Sequence, residues 1–185
     1  MKKMESKPRR RVVTGHDKNG RAIVVSDGPS PHLRASPHRP NVIYHNMWAT
    51  DSMPVKIHGS TDPVTETMSV PPVKNGVNFR VVEIDPESFY PMPTAEDARK
   101  AFESMGSVAH ALTEQADAKH VLMHKTRSVD YGIMLEGELT LVLDEEEVVL
   151  RAGDVVIQRG TNHAWANRSD KRVVIAFILM DGTED

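Results

Sequence analysis

The chain has 185 residues, an ordinary content of apolar and charged residues and a formal net charge of −3, which is typical of one globular domain and excludes a fibre or a disordered protein. It contains no cysteine, which excludes disulfides, thiolate catalysis and zinc–thiolate sites and fits a cytoplasmic location. No apolar run approaches the roughly 18 residues of a membrane span, and no signal peptide is indicated. The net negative charge argues against a nucleic-acid partner, and the lack of a long apolar run argues against a membrane span.

The N-terminal third contains signals for a hairpin and a connector. Residues 1–10 are basic, and we expect them to be disordered and solvated rather than to form a nucleic-acid arm. Two apolar runs flank Asp17-Lys18-Asn19-Gly20, and an Asn-Gly pair between such runs predicts a β-hairpin. Residues 28–41 carry four prolines and little periodicity, which predicts an extended surface connector with solvated His32 and His38.

The middle of the chain predicts two strands and one helix. Residues 41–48 and 79–84 have the composition of strands. Thr94 stands as an N-cap three positions before Asp97, and apolar residues at helical spacing follow, which predicts a short helix that packs on a sheet. A second helical turn is expected over residues 108–112.

From residue 120 onward the sequence breaks into short runs rich in Val, Ile and Leu. The predicted strands are 120–126, 130–135, 138–143, 147–151, 154–158, 163–167 and 172–180. Short strands at regular spacing with tight turns are typical of an antiparallel sandwich or barrel. Alternate residues of a strand share a face, so His124 faces the same way as Thr126, and His163 the same way as Trp165 and Asn167.

Within this region, one set of residues resembles the first sequence motif of the cupin superfamily. His124, Thr126, Asp130 and Gly137 stand at the positions where cupins carry two histidines, a glutamate and a glycine. The second histidine is thus Thr126, and the glutamate is Asp130.

A second set resembles the other cupin motif. Gly160, His163 and Asn167 keep the spacing of that motif, while Gln158 stands where the family has proline and the gap after Gly153 is one residue short. The resemblance implies a mainly β protein, an antiparallel double-stranded β-helix or jelly-roll barrel, with an N-terminal hairpin extension and one short helical segment. The implied barrel core spans 119–181, preceded by strands, connector and helix over 11–118 and followed by a tail at 182–185.

The resemblance also implies a metal site at His124, Asp130 and His163. Two imidazoles and one carboxylate suit Fe, and with water they suit Mn, Ni or Zn. Asp is one methylene shorter than Glu, and Thr126 is not a strong ligand, so the same groups could instead form a metal-free polar cluster. His120 lies too far along the predicted strand from His124 to bind the same ion.

Further roles are assigned around this site. His163 and Tyr131 are candidate catalytic proton-transfer residues, and Thr126, Arg159 and Trp165 are candidates for substrate binding. Asn167 is expected to hold backbone at the end of its strand.

The resemblance implies a cupin-type small-molecule enzyme that depends on a divalent metal. The reaction classes are a lyase, decarboxylase or dehydratase, or a dioxygenase, acting on a small organic or aromatic acid. The alternative is a metal-free binding or sensing module for a small hydrophobic acid. In cupin-like proteins an N-terminal strand such as 41–48 extends the sheet or crosses to a partner subunit, which suggests a homodimer.

Overall fold

The fold is a β-barrel with an appended hairpin. The computed structural model describes residues 5–36, 38–59, 61–65, 69–106 and 118–184. Its strands are β1 (Arg10–His16), β2 (Ala22–Pro29), β3 (His32–Ser36), β4 (Arg39–Thr50), β5 (Val77–Ile84), β6 (Ser128–Glu136), β7 (Glu138–Leu143), β8 (Glu147–Arg151), β9 (Val155–Arg159), β10 (His163–Ala166) and β11 (Val173–Asp181). A short 3-10 helix, Glu87–Phe89, and the helix α1 (Ala95–Ser104) lie between β5 and β6.

Two antiparallel sheets form the barrel. Over the described residues, a six-stranded sheet has the order β3-β4-β5-β11-β6-β9, and a three-stranded sheet has the order β10-β7-β8. One hydrophobic core contains side chains from both sheets and from α1. This arrangement confirms the predicted mainly β jelly-roll architecture. The six-stranded sheet includes β3, β4 and β5 from the N-terminal part of the chain.

Strand alternation decides which side chains enter the barrel. On β5, Arg80, Val82 and Ile84 line the interior cavity, whereas Val81 belongs to a second apolar cluster. The central strands β5 and β11 are buried along almost their whole length because both faces of the sheet are covered. The near-continuous apolar sequence of β11 follows from this double burial.

The predicted N-terminal hairpin is confirmed. Strands β1 and β2 pair antiparallel on either side of the Asp17–Gly20 turn, where Gly20 has a positive φ of 76°. Side chains attach the hairpin to β4: Arg11 donates to the Met47 carbonyl at 3.2 Å, and the Ser30 hydroxyl donates to the Asn46 carbonyl at 2.9 Å.

Three local predictions differ from the structure. The proline-rich connector contains β3, which pairs with β4; β3 is an edge strand, where the missing N–H groups of neighbouring prolines are tolerated. Its histidines, His32 and His38, are half-buried rather than solvated. Residues 120–126 form a turn with one isolated bridge instead of a strand.

Two arginines of the basic N-terminus have acidic partners. Arg9 forms an ion pair with Glu83 at 3.0 Å, and Arg10 begins β1 and pairs with Asp27 at 2.8 Å. Acidic partners on the barrel and on β2 therefore hold these two cations, while the predicted disorder of residues 1–10 stays a prediction. Residues 1–4 lie outside the described residues.

The helix α1 begins as predicted. The Thr94 hydroxyl accepts from the Asp97 N–H at 3.1 Å, and the Asp97 carboxylate accepts from the Thr94 N–H at 3.0 Å, which completes a capping box. The helix buries Ala98, Ala101 and Phe102. The second turn predicted at 108–112 lies outside the described residues. Within the described residues, no helix has the length and apolar character required to cross a membrane.

Candidate functional site

The barrel interior contains a cavity with an empty volume of about 570 Å³, which includes part of its open mouth. Its aromatic and apolar walls include Phe102, Trp165, Phe177 and Leu179. Its polar lining consists of Arg39, Tyr44, Arg80, His124, Thr126, Asp130 and His163. An apolar chamber with a few convergent polar groups is typical of a small-molecule site.

Backbone pairing brings the two predicted histidines together. His124 and His163 form an isolated antiparallel bridge in which each N–H donates to the other carbonyl at 2.8 Å. Directly opposed residues of such a pair present their side chains on the same face, and the ring centroids lie 4.3 Å apart. The row of rings continues to Phe102 beside His124 and to Trp165 beside His163.

Hydrogen bonds fix the tautomer of both imidazoles. Nδ1 of His124 lies 2.9 Å from the Leu122 carbonyl, and Nδ1 of His163 lies 2.9 Å from the Thr161 carbonyl. Because a carbonyl can only accept, each Nδ1 carries the proton, and in the neutral ring Nε2 is the acceptor. Burial lowers the pKa of His163 to about 4 and lowers the pKa of His124 well below its usual value. Both rings are therefore neutral at pH 7.

Asp130 is the carboxyl group of the cavity. The Ser128 hydroxyl donates to Oδ1 at 2.6 Å, and the Thr126 hydroxyl donates to Oδ2 at 3.5 Å, the limit of a hydrogen bond. Burial raises the pKa of Asp130 to about 6, although these hydroxyls favour the carboxylate. Oδ2 is thus the more weakly held oxygen of a carboxyl group that titrates close to neutral pH.

The three predicted metal ligands line one cavity but are not grouped around one point in this structure. Among the residues that the structure describes, no three His, Asp or Glu side chains form a group that could hold a metal ion. Asp130 hydrogen-bonds to Ser128 and Thr126 rather than joining the imidazoles. The three-ligand site at His124, Asp130 and His163 therefore stays a prediction, and the short reach of Asp where cupins carry Glu is consistent with the separate position of Asp130.

The sequence prediction missed two buried arginines. Arg39 and Arg80 line the cavity with only 7% and 4% of their surfaces exposed. The sequence could have indicated Arg80, because this charged residue lies on the same face of β5 as the apolar Val82 and Ile84. Arg39 gave no such signal, because it lies among prolines in the predicted connector. Tyr44 and Phe102 were predicted only as strand and helix residues.

Of the predicted catalytic and substrate-binding residues other than His163, two lie in the cavity and two lie outside it. Thr126 and Trp165 line the cavity. Tyr131 is 37% exposed, because it neighbours the inward-facing Asp130 on β6 and therefore faces the other way. Arg159 is exposed at the end of β9, where Gln158 takes the inward position. Tyr131 and Arg159 therefore lie outside the lining of this cavity, and their predicted roles stay predictions.

Two other predicted residues have structural partners. His120 is buried and its Nε2 lies 3.0 Å from a carboxylate oxygen of Glu87, outside the cavity lining. Asn167 holds backbone as predicted: its amide donates to the carbonyls of Ile84 and Lys171, both at 2.8 Å.

Comparisons with known proteins agree with this architecture. The cupin domain model matches residues 112–179. Phomopsin biosynthesis cluster protein C′ of Diaporthe leptostromiformis is 33% identical over 165 residues, covering 86% of this chain and 70% of the relative. The cupin-domain-containing oxidoreductase fogC of Aspergillus ruber is 27% identical over 177 residues, covering 92% and 71%.

A solved structure was also matched. The cupin 2 conserved barrel domain protein from Salinispora arenicola aligns with a TM-score of 0.43 and 14% identity, over 87% of this chain and 91% of that chain. The domain match, the barrel and the extended similarity to the relatives lead to one conclusion. The chain belongs to the cupin family.

Proposed function

We propose that the cavity is the active site of an enzyme that transfers a proton on a small organic molecule. The observation that supports this most is Asp130, a buried carboxyl group whose pKa is raised to about 6 in the same cavity as two neutral imidazoles. A general base is most efficient when its pKa lies near the working pH. Perturbed titratable groups in an apolar cleft are typical of functional sites.

The described residues divide the work as follows. Asp130 Oδ2 removes a proton from a substrate carbon next to a carbonyl or carboxyl group. The Nε2 atoms of His124 and His163 accept hydrogen bonds from substrate hydroxyl groups and orient the molecule. The protonated Asp130 then returns its proton to another carbon of the substrate, which is an isomerisation, or to a departing hydroxyl group that leaves as water, which is a dehydration.

The proposed reaction is limited to proton transfer, whereas the motifs imply a metal-dependent lyase or dioxygenase. The described side chains do not fit a three-ligand metal site, so no step is assigned to a metal. The relative fogC is named an oxidoreductase, and the relative in Diaporthe is named for a biosynthesis cluster. Those names support a small-molecule substrate, and the reaction proposed for this chain is limited to proton transfer. A cytoplasmic location and the lack of a nucleic-acid partner stay predictions from composition.

The test is hydrogen exchange in deuterium oxide, followed by NMR, on a panel of arylpyruvates and 3-hydroxy acids. We expect wild type to accelerate exchange or water loss for members of the panel, and Asp130→Asn to slow this by about 10²–10⁴-fold. The rate should rise with pH through about 6, as Asp130 becomes ionised. Asp170→Asn, which changes an exposed carboxylate, is the matched control.

The alternative function is a metal-free binding or sensing module for a small hydrophobic acid. Saturable binding of the panel without any exchange or conversion would support it and contradict the enzyme. Wild-type turnover by Asp130→Asn would show that Asp130 is not the catalytic base.

We further propose that the chain forms a homodimer through the outer face of β6 and β9. Tyr131 pairs with Ile157 across these strands, and Leu135 and Val155 extend the same apolar face; all four are 37–59% exposed. Contiguous exposed apolar surface is typical of an interaction site.

Analytical ultracentrifugation should give a dimer for wild type and a monomer for Val155→Glu/Ile157→Glu. Val148→Glu/Val149→Glu, on β8, is the control and should stay dimeric. A wild-type monomer at micromolar concentration would contradict the proposal.

A further inference from the structure

Two buried cations in the cavity form no ion pair with an acidic residue of the described chain. Nε of Arg39 and Nε of Arg80 are both buried without a hydrogen-bond partner there. The remaining described hydrogen bonds of these guanidiniums go to main-chain oxygens: Arg39 donates to the Trp165 carbonyl at 3.5 Å, and Arg80 donates to the Ser69 carbonyl. Neither forms an ion pair with Asp130 or another described carboxylate within 4.0 Å.

The charge of the cavity is therefore positive. The described lining carries two guanidiniums against the single carboxyl group of Asp130. Burial lowers the pKa of Arg80 to about 10, which leaves it protonated at neutral pH. A buried cation without a partner is costly, and an apolar residue of similar size avoids that cost. Two such cations in one chamber indicate a ligand of opposite charge.

The walls indicate the rest of the ligand. The rings of Trp165 and Phe177 lie 5.0 Å apart, and Phe102 lies on the other side of the two histidines. The Arg80 guanidinium itself lies 6.0 Å from the Tyr44 ring centroid. These rings form an aromatic wall of the cavity on which a flat apolar body can pack, while guanidinium is well suited to a carboxylate.

We infer that this cavity selects a small aromatic monocarboxylate, and that Arg39 and Arg80 are its specificity-determining residues. One carboxylate neutralises the net charge of the two arginines and an ionised Asp130. This inference names the substrate class of the proposed enzyme and rests on that proposal for its catalytic meaning. Binding itself is independent of turnover, so the two can be tested separately.

The test compares benzoate with its uncharged analogue benzamide by isothermal titration calorimetry. We expect wild type to bind benzoate about 10- to 100-fold more tightly than benzamide. Arg39→Met and Arg80→Met should each weaken benzoate binding about 10-fold or more and leave benzamide binding almost unchanged. Arg159→Met, which changes an exposed arginine outside the cavity, should bind both like wild type.

Thermal unfolding without ligand separates a binding role from a structural one. Both methionine variants should unfold at or above the wild-type temperature, because each removes an unpaired buried charge. Lower unfolding temperatures together with unchanged benzoate affinity would show that the arginines are structural and would overturn the inference. Equal affinity for benzoate and benzamide, or no benzoate binding by wild type, would overturn it as well.

The variant Asp130→Asn distinguishes failure of this inference from failure of the proposed reaction. It removes the competing negative charge, so it should bind benzoate at least as tightly as wild type whether or not Asp130 is the catalytic base. A loss of turnover with retained benzoate binding supports both proposals. Unchanged turnover contradicts the reaction alone.

Discussion

Replacing His163 with Asn is expected to make the fold more resistant to acid, by about 3 kcal/mol of unfolding free energy near pH 4. Burial lowers the pKa of His163 from 6.5 to about 4 in the folded protein. Between these pH values the unfolded chain binds a proton that the folded chain does not, so stability falls as the pH falls through this range. Asn cannot take up the proton, and its amide can still donate to the Thr161 carbonyl.

Asp130→Asn should change the pH dependence in the opposite direction. Burial raises the pKa of Asp130 from 3.8 to about 6, so the folded protein binds a proton there before the unfolded chain does. That contribution stabilises the fold as the pH falls from about 6 to about 4, again by about 3 kcal/mol at most. The variant loses it and should be more acid-labile than wild type.

The measurement is urea unfolding of the three proteins between pH 7 and pH 4. In wild type the contributions of His163 and Asp130 to the pH dependence of the unfolding free energy nearly cancel. The lowered pKa values of His124 and the buried His45 leave a net loss of stability in acid. Parallel curves for wild type and His163→Asn would contradict a buried neutral His163.

The barrel could be predicted because the sequence signals that indicate it are local. Strand alternation, the Asn19-Gly20 turn and the Thr94 cap each act over a few residues, and each appears in the structure as predicted. The errors came where local signals compete. The prolines around β3 indicate a connector, yet an edge strand tolerates them. The apolar residues at 120–126 resemble a strand, yet only His124 pairs.

The site was predictable only in part because its members come from distant segments. The motif spacing located His124, Asp130 and His163 in one chamber but not their distances, on which a metal site depends. Alternation alone would have excluded Tyr131, since its neighbour Asp130 faces inward. Arg39 could not be predicted in this way. It reaches the cavity through the pairing of β4 in the sheet, and no local sequence pattern indicates that position.

Asn167→Ala is expected to cost about 3–5 kcal/mol, among the largest effects of a single substitution on this fold. The side chain is fully buried at the end of β10. Its amide donates to the carbonyls of Ile84 and Lys171, and its Oδ1 accepts from the N–H and the hydroxyl of Ser169 at 3.1 and 2.7 Å. Alanine leaves these buried groups without that partner and creates a small cavity.

The same contact joins the two sheets behind the site. Ile84 ends β5, and Asn167 directly follows β10, the strand that carries His163 and Trp165. Asn167→Asp, which keeps the shape but places a carboxylate oxygen against two carbonyls, should be as damaging as alanine. Asn162→Ala, whose amide donates to exposed Asp144, is the control and should cost less than about 1 kcal/mol. Calorimetry should show Asn167→Ala unfolding roughly 10 °C below wild type; a shift as small as that of the control would mean that water replaces the amide and that Asn167 does not hold β10 against β5.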